Sequence, residues 1–343
     1  MIQQSGEELL KQIHTYIEKL AYSREPKGLY DPIEYVLGFG GKRLRPVLML
    51  LAYNLYKEDV SAIFSQAAGL ETYHNFTLLH DDLMDKSEMR RGKPTVHKKW
   101  NDNTAILSGD AMLILAYQFM GKNCPEGKLE EVMAVFGQAA LEVCEGQQWD
   151  VEFEDRMDVT VEEYIEMIRL KTSVLLAAAL KIGAILGGAA PKDAELLYRL
   201  GIRMGLAFQL QDDLLDVYGD PAVFGKKIGG DILCNKKTFM LITALERADV
   251  EQKAELVDWI GKSEFVPEEK IKAALQEHLE NMRQQVFGCV LNNSPEFFEH
   301  LVVDLLLKMG YGYDGSAGIV TGKPHDGGID GIISEDKLGL DLI

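Results

Sequence analysis

Cysteine is scarce in this chain: Cys124, Cys144, Cys234 and Cys289 are the only four in 343 residues, with no CxxC pair and no metal-binding spacing. That argues against a thiolate metal site or a disulfide framework, and reads as reduced thiols in a cytosolic protein. Positive charge is also in short supply. Thirty-six Lys and Arg stand against 54 Asp and Glu, a formal charge of −18. No nucleic-acid or anionic-membrane binding is expected, because both need a positive surface. The N-terminal stretch carries Glu7 and Glu8 and no apolar core segment, so no signal peptide is read there. Long uncharged apolar runs are missing too. Thr172 to Ala190 comes nearest, but Lys181 sits in its middle and Gly187-Gly188 lie near its end. A buried helix packed through its alanines is expected there, with no membrane insertion.

What is present is helical. With 47% hydrophobic and 26% charged residues, the chain can bury a large core as one big domain, or as one domain and a smaller unit. Apolar residues recur at helical spacing over Glu7–Tyr22, Pro32–Leu37, Pro46–Tyr56, Ile63–Leu83, Asn103–Met120, Leu129–Glu145, Val161–Leu186, Ala194–Tyr218 and Thr238–Ala248. Gly, Pro, Asn and Asp punctuate them, as at Gly92-Lys93-Pro94 and Asn123-Cys124-Pro125. No run of alternating strands is found before residue 290. Long helices with short loops predict an all-α bundle around a central cavity, with its site built from facing helices. The pattern changes between about Phe265 and Gln276, and a Gly-rich, loop-like stretch runs from Tyr313 to Ile343. This divides the chain into a helical domain, 1–272, and an irregular or α/β appendage, 273–343.

Two copies of one acidic cluster stand 131 residues apart: Asp81-Asp82-Leu83-Met84-Asp85 and Asp212-Asp213-Leu214-Leu215-Asp216. Each follows an apolar helical run, and residues four apart on a helix share a face. Six carboxylates cannot share a cavity without counter-charge. Mg2+ suits them, since it binds through one or two carboxylates plus substrate phosphates and waters. One cluster alone would be an ordinary solvated helix end; two on matching helices predict acidic walls holding Mg2+ against a diphosphate.

Cations accompany both clusters. Gly40-Gly41-Lys42-Arg43-Leu44-Arg45-Pro46 opens a helix with three cations, a good phosphate cradle although such loops are often only surface charge. Arg90-Arg91-Gly92-Lys93-Pro94 begins five residues past Asp85, within reach of the acidic face, or else simply balancing a helix C-terminus. His74 lies two turns before Asp81 on the same face; standing alone it would be a core histidine. Around the second cluster are Lys171-Thr172, Gln209, Lys226 and Lys236. Each of these lysines would be unremarkable by itself, and Lys171 alone would read as a snorkelling side chain.

In order and spacing these motifs closely resemble the trans-isoprenyl diphosphate synthases, or polyprenyl synthases, over residues 1 to about 270: GGKRLRP at 40–46, HDDLMD at 80–85, RRGKP at 90–94, KT at 171–172, FQLQDDLLD at 208–216, GKK at 225–227 and NKKT at 235–238. The resemblance implies catalytic roles for Asp81, Asp82, Asp85, Asp212, Asp213, Asp216, Lys171 and Arg90. Asp81, Asp85, Asp212 and Asp216 would hold Mg2+, three ions with substrate bound. Arg90, Lys171, Thr172, Gln209, Lys226 and Lys236 would contact the allylic diphosphate. Lys42, Arg45, His74 and Arg91 would hold isopentenyl diphosphate. The reaction would be loss of diphosphate from the allylic substrate, attack by the homoallylic double bond, and removal of the final proton by the departing diphosphate. That suits a sequence with no obvious His–carboxylate pair. A cytoplasmic homodimer is also implied.

In that family, bulky residues below the first cluster end the product tunnel. Thr77 lies one turn below Asp81 and Tyr73 two turns below, about 12 Å away, with Phe76 beside the stripe. Small Thr77 lets the tunnel pass one turn, and Phe76 and Tyr73 stop it soon after, so C20 is expected over C15, and long chains are not. A terpene cyclase would not be expected to carry the second cluster with Lys42, Arg45 and Arg91, and a non-catalytic subunit would be expected to lose its acidic clusters. From about Ala273, most clearly at Ser294–Tyr311 and His325–Gly331, the chain resembles the start of an Mrr-type restriction endonuclease domain. Asp330 matches its metal-binding Asp. The partner motif, Gln or Glu followed two residues later by Lys, would fall beyond Ile343. The segment is therefore expected to be a non-functional fragment without nuclease activity, from a broken or joined gene rather than a functional fusion.

Overall fold

The computed structural model describes residues 4–20, 22, 24–218 and 229–262, together with two strand segments at 318–320 and 331–333. Lys226, Asp330 and most of 273–343 lie outside the described residues.

The helices are α1 (Gly6–Glu18), α2 (Lys27–Leu37), α3 (Leu44–Asn54), α4 (Phe64–Met84), α5 (Val96–Lys99), α6 (Asp102–Gly121), α7 (Leu129–Glu154), α8 (Val161–Ile168), α9 (Val174–Gly187), α10 (Pro191–Tyr218), α11 (Gly230–Leu233), α12 (Phe239–Arg247) and α13 (Val250–Gly261). The all-α expectation holds. Among the described residues the exceptions are two hairpins: β1 (Met89–Arg90) with β2 (Lys93–Pro94), and β3 (Gly318–Val320) antiparallel to β4 (Gly331–Ile333).

Local chemistry sets the helix ends. Ser5 and Glu8 form a capping box on α1, Thr160 and Glu163 on α8, and Asp249 and Gln252 on α13, each satisfying N–H groups that a helix start leaves unpaired. Two expectations need correction. Pro32, expected at a helix start, lies inside α2, where it forfeits one backbone bond in an early turn. Val161–Leu186, expected as one helix, is interrupted by a π-helical turn at Arg169–Ser173. The first hairpin has no counterpart in the sequence reading, because its strands are two residues long and carry no alternating pattern.

The chain divides into two compact units. The first comprises residues 1–140 and 175–201. Within it α4 packs along α6, α2 against α6, and α3 against both α1 and α4. Leu9, Ile13, Ile33, Met49, Leu50, Leu70, Tyr73, Met112 and Met120 are fully buried there. The long apolar run is a buried helix as expected: 83% of the most apolar window of Val161–Gly187 is covered. Asp102–Gly121 passes the same length-and-hydropathy test with 39% of its window buried.

The second unit comprises 141–174 and 202–343. Two clusters hold its helices. Val217, Met240, Ala244, Leu245 and Leu256 form one. Phe153, Val159, Tyr164, Met167, Ile168 and Ile242 form the other.

Candidate active site

In the first unit, α4 carries His74, Asp81, Asp82 and Asp85. The chain then turns at Lys86 (φ 52) into the β1–β2 hairpin, whose tip is Arg91-Gly92 with φ 51 and 74. Positive φ at both tip residues gives a two-residue turn matched to strand twist. The hairpin folds Arg90 back onto the acidic helix. Its Nε donates to both carboxylate oxygens of Asp82, at 2.9 and 2.8 Å, and its Nη2 lies 3.8 Å from Asp81 Oδ2. Asp82 is buried, with Asp81 half-buried and Asp85 exposed beside it. Burial pushes the Asp82 carboxyl up from its ordinary value, and the Arg90 guanidinium works against that rise.

At the tip, Arg91 Nη1 donates to the Gly40 carbonyl. Gly41 (φ +124) permits the approach: a Cβ there would sit 2.6 Å from Arg91 Nη1. Two basic motifs 51 residues apart thus meet. Their cations divide the work. Arg43 is buried, donating to Glu71 Oε1 at 2.6 Å and to the Leu37 carbonyl, so it holds the fold together. Arg45 Nη1 donates to His74 Nε2 at 3.0 Å, which requires the neutral imidazole. Burial, then Arg45, Arg91, Arg90 and Arg43 in turn, hold His74 well below its usual pKa. Burial also lowers Arg45, to about 10, against the opposing Glu71 charge. Lys42 is exposed on the same loop. The first basic motif, the hairpin and His74 therefore make a cationic patch around a neutral imidazole, suited to a phosphorylated ligand.

Below the acidic end of α4, Tyr73 is fully buried and its hydroxyl donates to the Ala140 carbonyl at 2.9 Å. Its ring lies 5.4 Å from both Phe76 and Phe136, and Phe136 lies 4.8 Å from Tyr117. The Thr77 hydroxyl donates to the His74 carbonyl at 2.8 Å.

In the second unit the sequence-predicted residues also converge. Lys171 and Thr172 lie in the π-helical turn, a local widening of the helix that often marks a functional position. Two glycines receive its backbone: a Cβ at Gly146 of α7 would lie 2.3 Å from Lys171 N, and one at Gly205 of α10 would lie 2.4 Å from Ser173 Cα. Lys171 Nζ donates to Asp150 Oδ2 at 2.6 Å, and Lys236 Nζ donates to the same oxygen at 3.0 Å and to Glu154 at 2.8 Å. Burial alone would raise the Asp150 carboxyl, but the two ammonium groups hold it below the usual range. On α10, Asp213 is buried between Tyr164 and Gln209. Burial raises it to about 6, against the bonds donated by Tyr164, Gln209 and Phe239 N–H. Asp216 accepts the backbone N–H of Asp231 at 3.2 Å.

Asp150 and Tyr164 do not stand out in the sequence, nor do Phe136 and Tyr117. No three His, Cys or acidic side chains form a complete metal cage among the described residues. The donor set in each cluster, two outer carboxylates one helical turn apart, fits Mg2+, which completes its shell with water and phosphate oxygens.

A family model described as polyprenyl synthetase matches residues 26–278. The chain belongs to the polyprenyl synthetase family. Among curated relatives of this synthase is a short chain isoprenyl diphosphate synthase of Methanocaldococcus jannaschii, 40% identical over 78% of this chain and 79% of that protein. A geranylgeranyl diphosphate synthase of Methanosarcina mazei is 42% identical over 74% and 76%. A solved geranylgeranyl pyrophosphate synthase aligns with TM-score 0.74 and 42% identity over 90% of this chain and 99% of the other. The corresponding Pyrococcus horikoshii structure gives 0.74 and 35% over 81% and 86%. A restriction endonuclease family model matches residues 290–343.

Proposed function

We propose that this prenyltransferase condenses isopentenyl diphosphate with an allylic diphosphate and stops at the C20 product, geranylgeranyl diphosphate. The observation that carries the reading is the pairing of an anion-binding patch with an acidic helix end: Arg45, His74 and Arg91 lie in the unit that bears Asp81 and Asp85.

The roles follow the chemistry of each group. Lys42, Arg45 and Arg91 neutralise the isopentenyl diphosphate, while neutral His74 adds hydrogen bonding without adding charge. Arg90, Lys171, Thr172, Gln209 and Lys236, with Lys226, receive the allylic diphosphate. Asp81, Asp85, Asp212 and Asp216 would hold Mg2+, three ions with substrate bound, which would lend charge stabilisation to the departing diphosphate. Preorganised cations favour ionisation because negative charge concentrates on the leaving group as its C–O bond breaks. The homoallylic double bond supplies the electron pair for the new C–C bond, and the separated diphosphate takes the proton.

Tyr73 and Phe76 support the C20 limit, since they are packed rings below small Thr77 rather than loose ends. We propose a cytoplasmic homodimer, supported by an apolar stripe on α6 where Ile106, Leu107 and Ile114 are 44, 58 and 59% exposed. We propose a synthase domain at 1–272 and an endonuclease-like segment at 273–343. The test is incorporation of labelled isopentenyl diphosphate with a dimethylallyl starter. Mg2+-dependent, EDTA-sensitive elongation supports the reading; allylic turnover without isopentenyl consumption would mean a cyclase.

A further inference from the structure

We propose that Tyr164 is a positioning residue that, through Asp213, sets Gln209 and Thr172 for the allylic diphosphate. This rests on the diphosphate role assigned to Gln209 and Thr172 above.

Four side chains form one hydrogen-bonded chain that converges on Asp213. Tyr164, 2% exposed on α8, donates its hydroxyl to Asp213 Oδ2. Gln209 Nε2 donates to Asp213 Oδ1 at 3.1 Å, and Thr172 Oγ1 donates to Gln209 Oε1 at 3.2 Å. A carboxylate only accepts, so Gln209 must offer its NH2 to Asp213 and its carbonyl to Thr172. The orientation of that amide is thereby fixed, with its second N–H left over for a ligand oxygen. Both Asp213 oxygens are engaged by protein donors and the side chain is 3% exposed, whereas Asp212, next to it on α10, is half-buried. The middle carboxylate of the cluster therefore serves as a bracket for the residue that grips substrate.

Position along the chain strengthens the case. Tyr164 precedes the π-helical turn that presents Lys171 and Thr172, and its bond to Asp213 ties α8 to α10 on the N-terminal side of that turn. The close approach of Gly205 to Ser173 ties it on the other side. Removing the phenol hydroxyl leaves one oxygen of a buried carboxylate short of a donor, and Asp213 is then drawn to compete for the Gln209 amide.

The test uses the full chain carrying Tyr164→Phe, which keeps the ring in its apolar cluster. The KM for the allylic diphosphate should rise about tenfold, the size of one charge-assisted hydrogen bond, while the KM for isopentenyl diphosphate stays unchanged. Binding of inorganic diphosphate with Mg2+ by calorimetry should weaken by a similar factor. Y164F combined with Asp213→Asn should be no worse than D213N alone, because both break the same chain. Wild-type allylic KM and diphosphate affinity in Y164F would overturn the proposal, as would an equal rise in both KM values, which a merely structural loss would give. Gln209→Ala separates the two readings. If Q209A raises the allylic KM and Y164F does not, Tyr164 has no positioning role; if neither does, the role given to Gln209 fails first and takes this inference with it. Should Y164F not fold, D213N is measured in its place: a rise confined to the allylic KM supports the bracket, and unchanged or equally raised KM values overturn it.

Discussion

Arg90 folds back on Asp82, its Nε 2.9 and 2.8 Å from the two carboxylate oxygens, so the middle residue of the first acidic cluster holds an arginine rather than pointing outward. Asp213 does the equivalent for Gln209 in the second cluster. In each cluster the middle carboxylate is the one that accepts from a neighbouring side-chain nitrogen, Arg90 Nε in the first and Gln209 Nε2 in the second.

The first prediction concerns Asp82→Asn. It keeps the shape but weakens the bond to Arg90, at a cost of about 1–3 kcal/mol. Steady-state kinetics with the allylic substrate varied should show a raised KM and reduced kcat, with isopentenyl diphosphate KM unchanged. An equal effect on both substrates would refute the bracket.

Product length should respond to the ring stack. Tyr73→Ala removes a ring that is hydrogen-bonded to Ala140 and packed on Phe136. Products beyond C20 are expected from Y73A, and smaller amounts from Phe136→Ala, which takes away the support behind Tyr73. Chromatography of dephosphorylated products checks this; an unchanged C20 limit in Y73A would show that the tunnel ends elsewhere.

Gly146→Ala and Gly205→Ala each place a methyl group against the backbone of the π-helical turn. Overpacking of this kind costs about 1–3 kcal/mol. Thermal unfolding should show that loss, and activity should fall further because Lys171 and Thr172 are displaced. Normal activity in a destabilised G146A would mean that the turn does not aim them.

His74 gives a pH signature. Its folded pKa lies well below the ordinary value, so the unfolded chain takes up this proton near pH 6.5 while the folded protein refuses it. The resulting stability is fully present above about pH 6.5 and is lost as pH falls, at up to about 1.4 kcal/mol per pH unit. Denaturant midpoints of wild type should therefore fall faster between pH 7 and 5 than those of His74→Asn. Parallel profiles would contradict the neutral, buried imidazole.

Most helices were legible because their apolar periodicity is long and their ends carry Ser, Thr, Asp, Gly or Pro. Both acidic clusters and the basic motifs were legible because their spacing is local. What was hidden depends on contacts distant in sequence. Asp150 is an unremarkable acid in α7 until Lys171 and Lys236 arrive 21 and 86 residues later to share one oxygen. Tyr164 reads as the apolar face of α8; only its fold partner, 49 residues on, gives it a role. The π-helical turn leaves no periodic trace, since one extra residue in a helix is a small phase slip. Arg43 sits in the same basic loop as Arg45, and its burial against Glu71 gives it a structural role that the loop's sequence does not show.

The most direct test is to incubate the purified full chain with Mg2+, labelled isopentenyl diphosphate and, separately, dimethylallyl, geranyl and farnesyl diphosphate, and to separate the products by length. Elongation of all three starters to a common C20 product is the predicted result. A C15 limit would contradict the reading of Thr77, Phe76 and Tyr73, and allylic turnover that consumes no isopentenyl diphosphate would contradict the account as a whole.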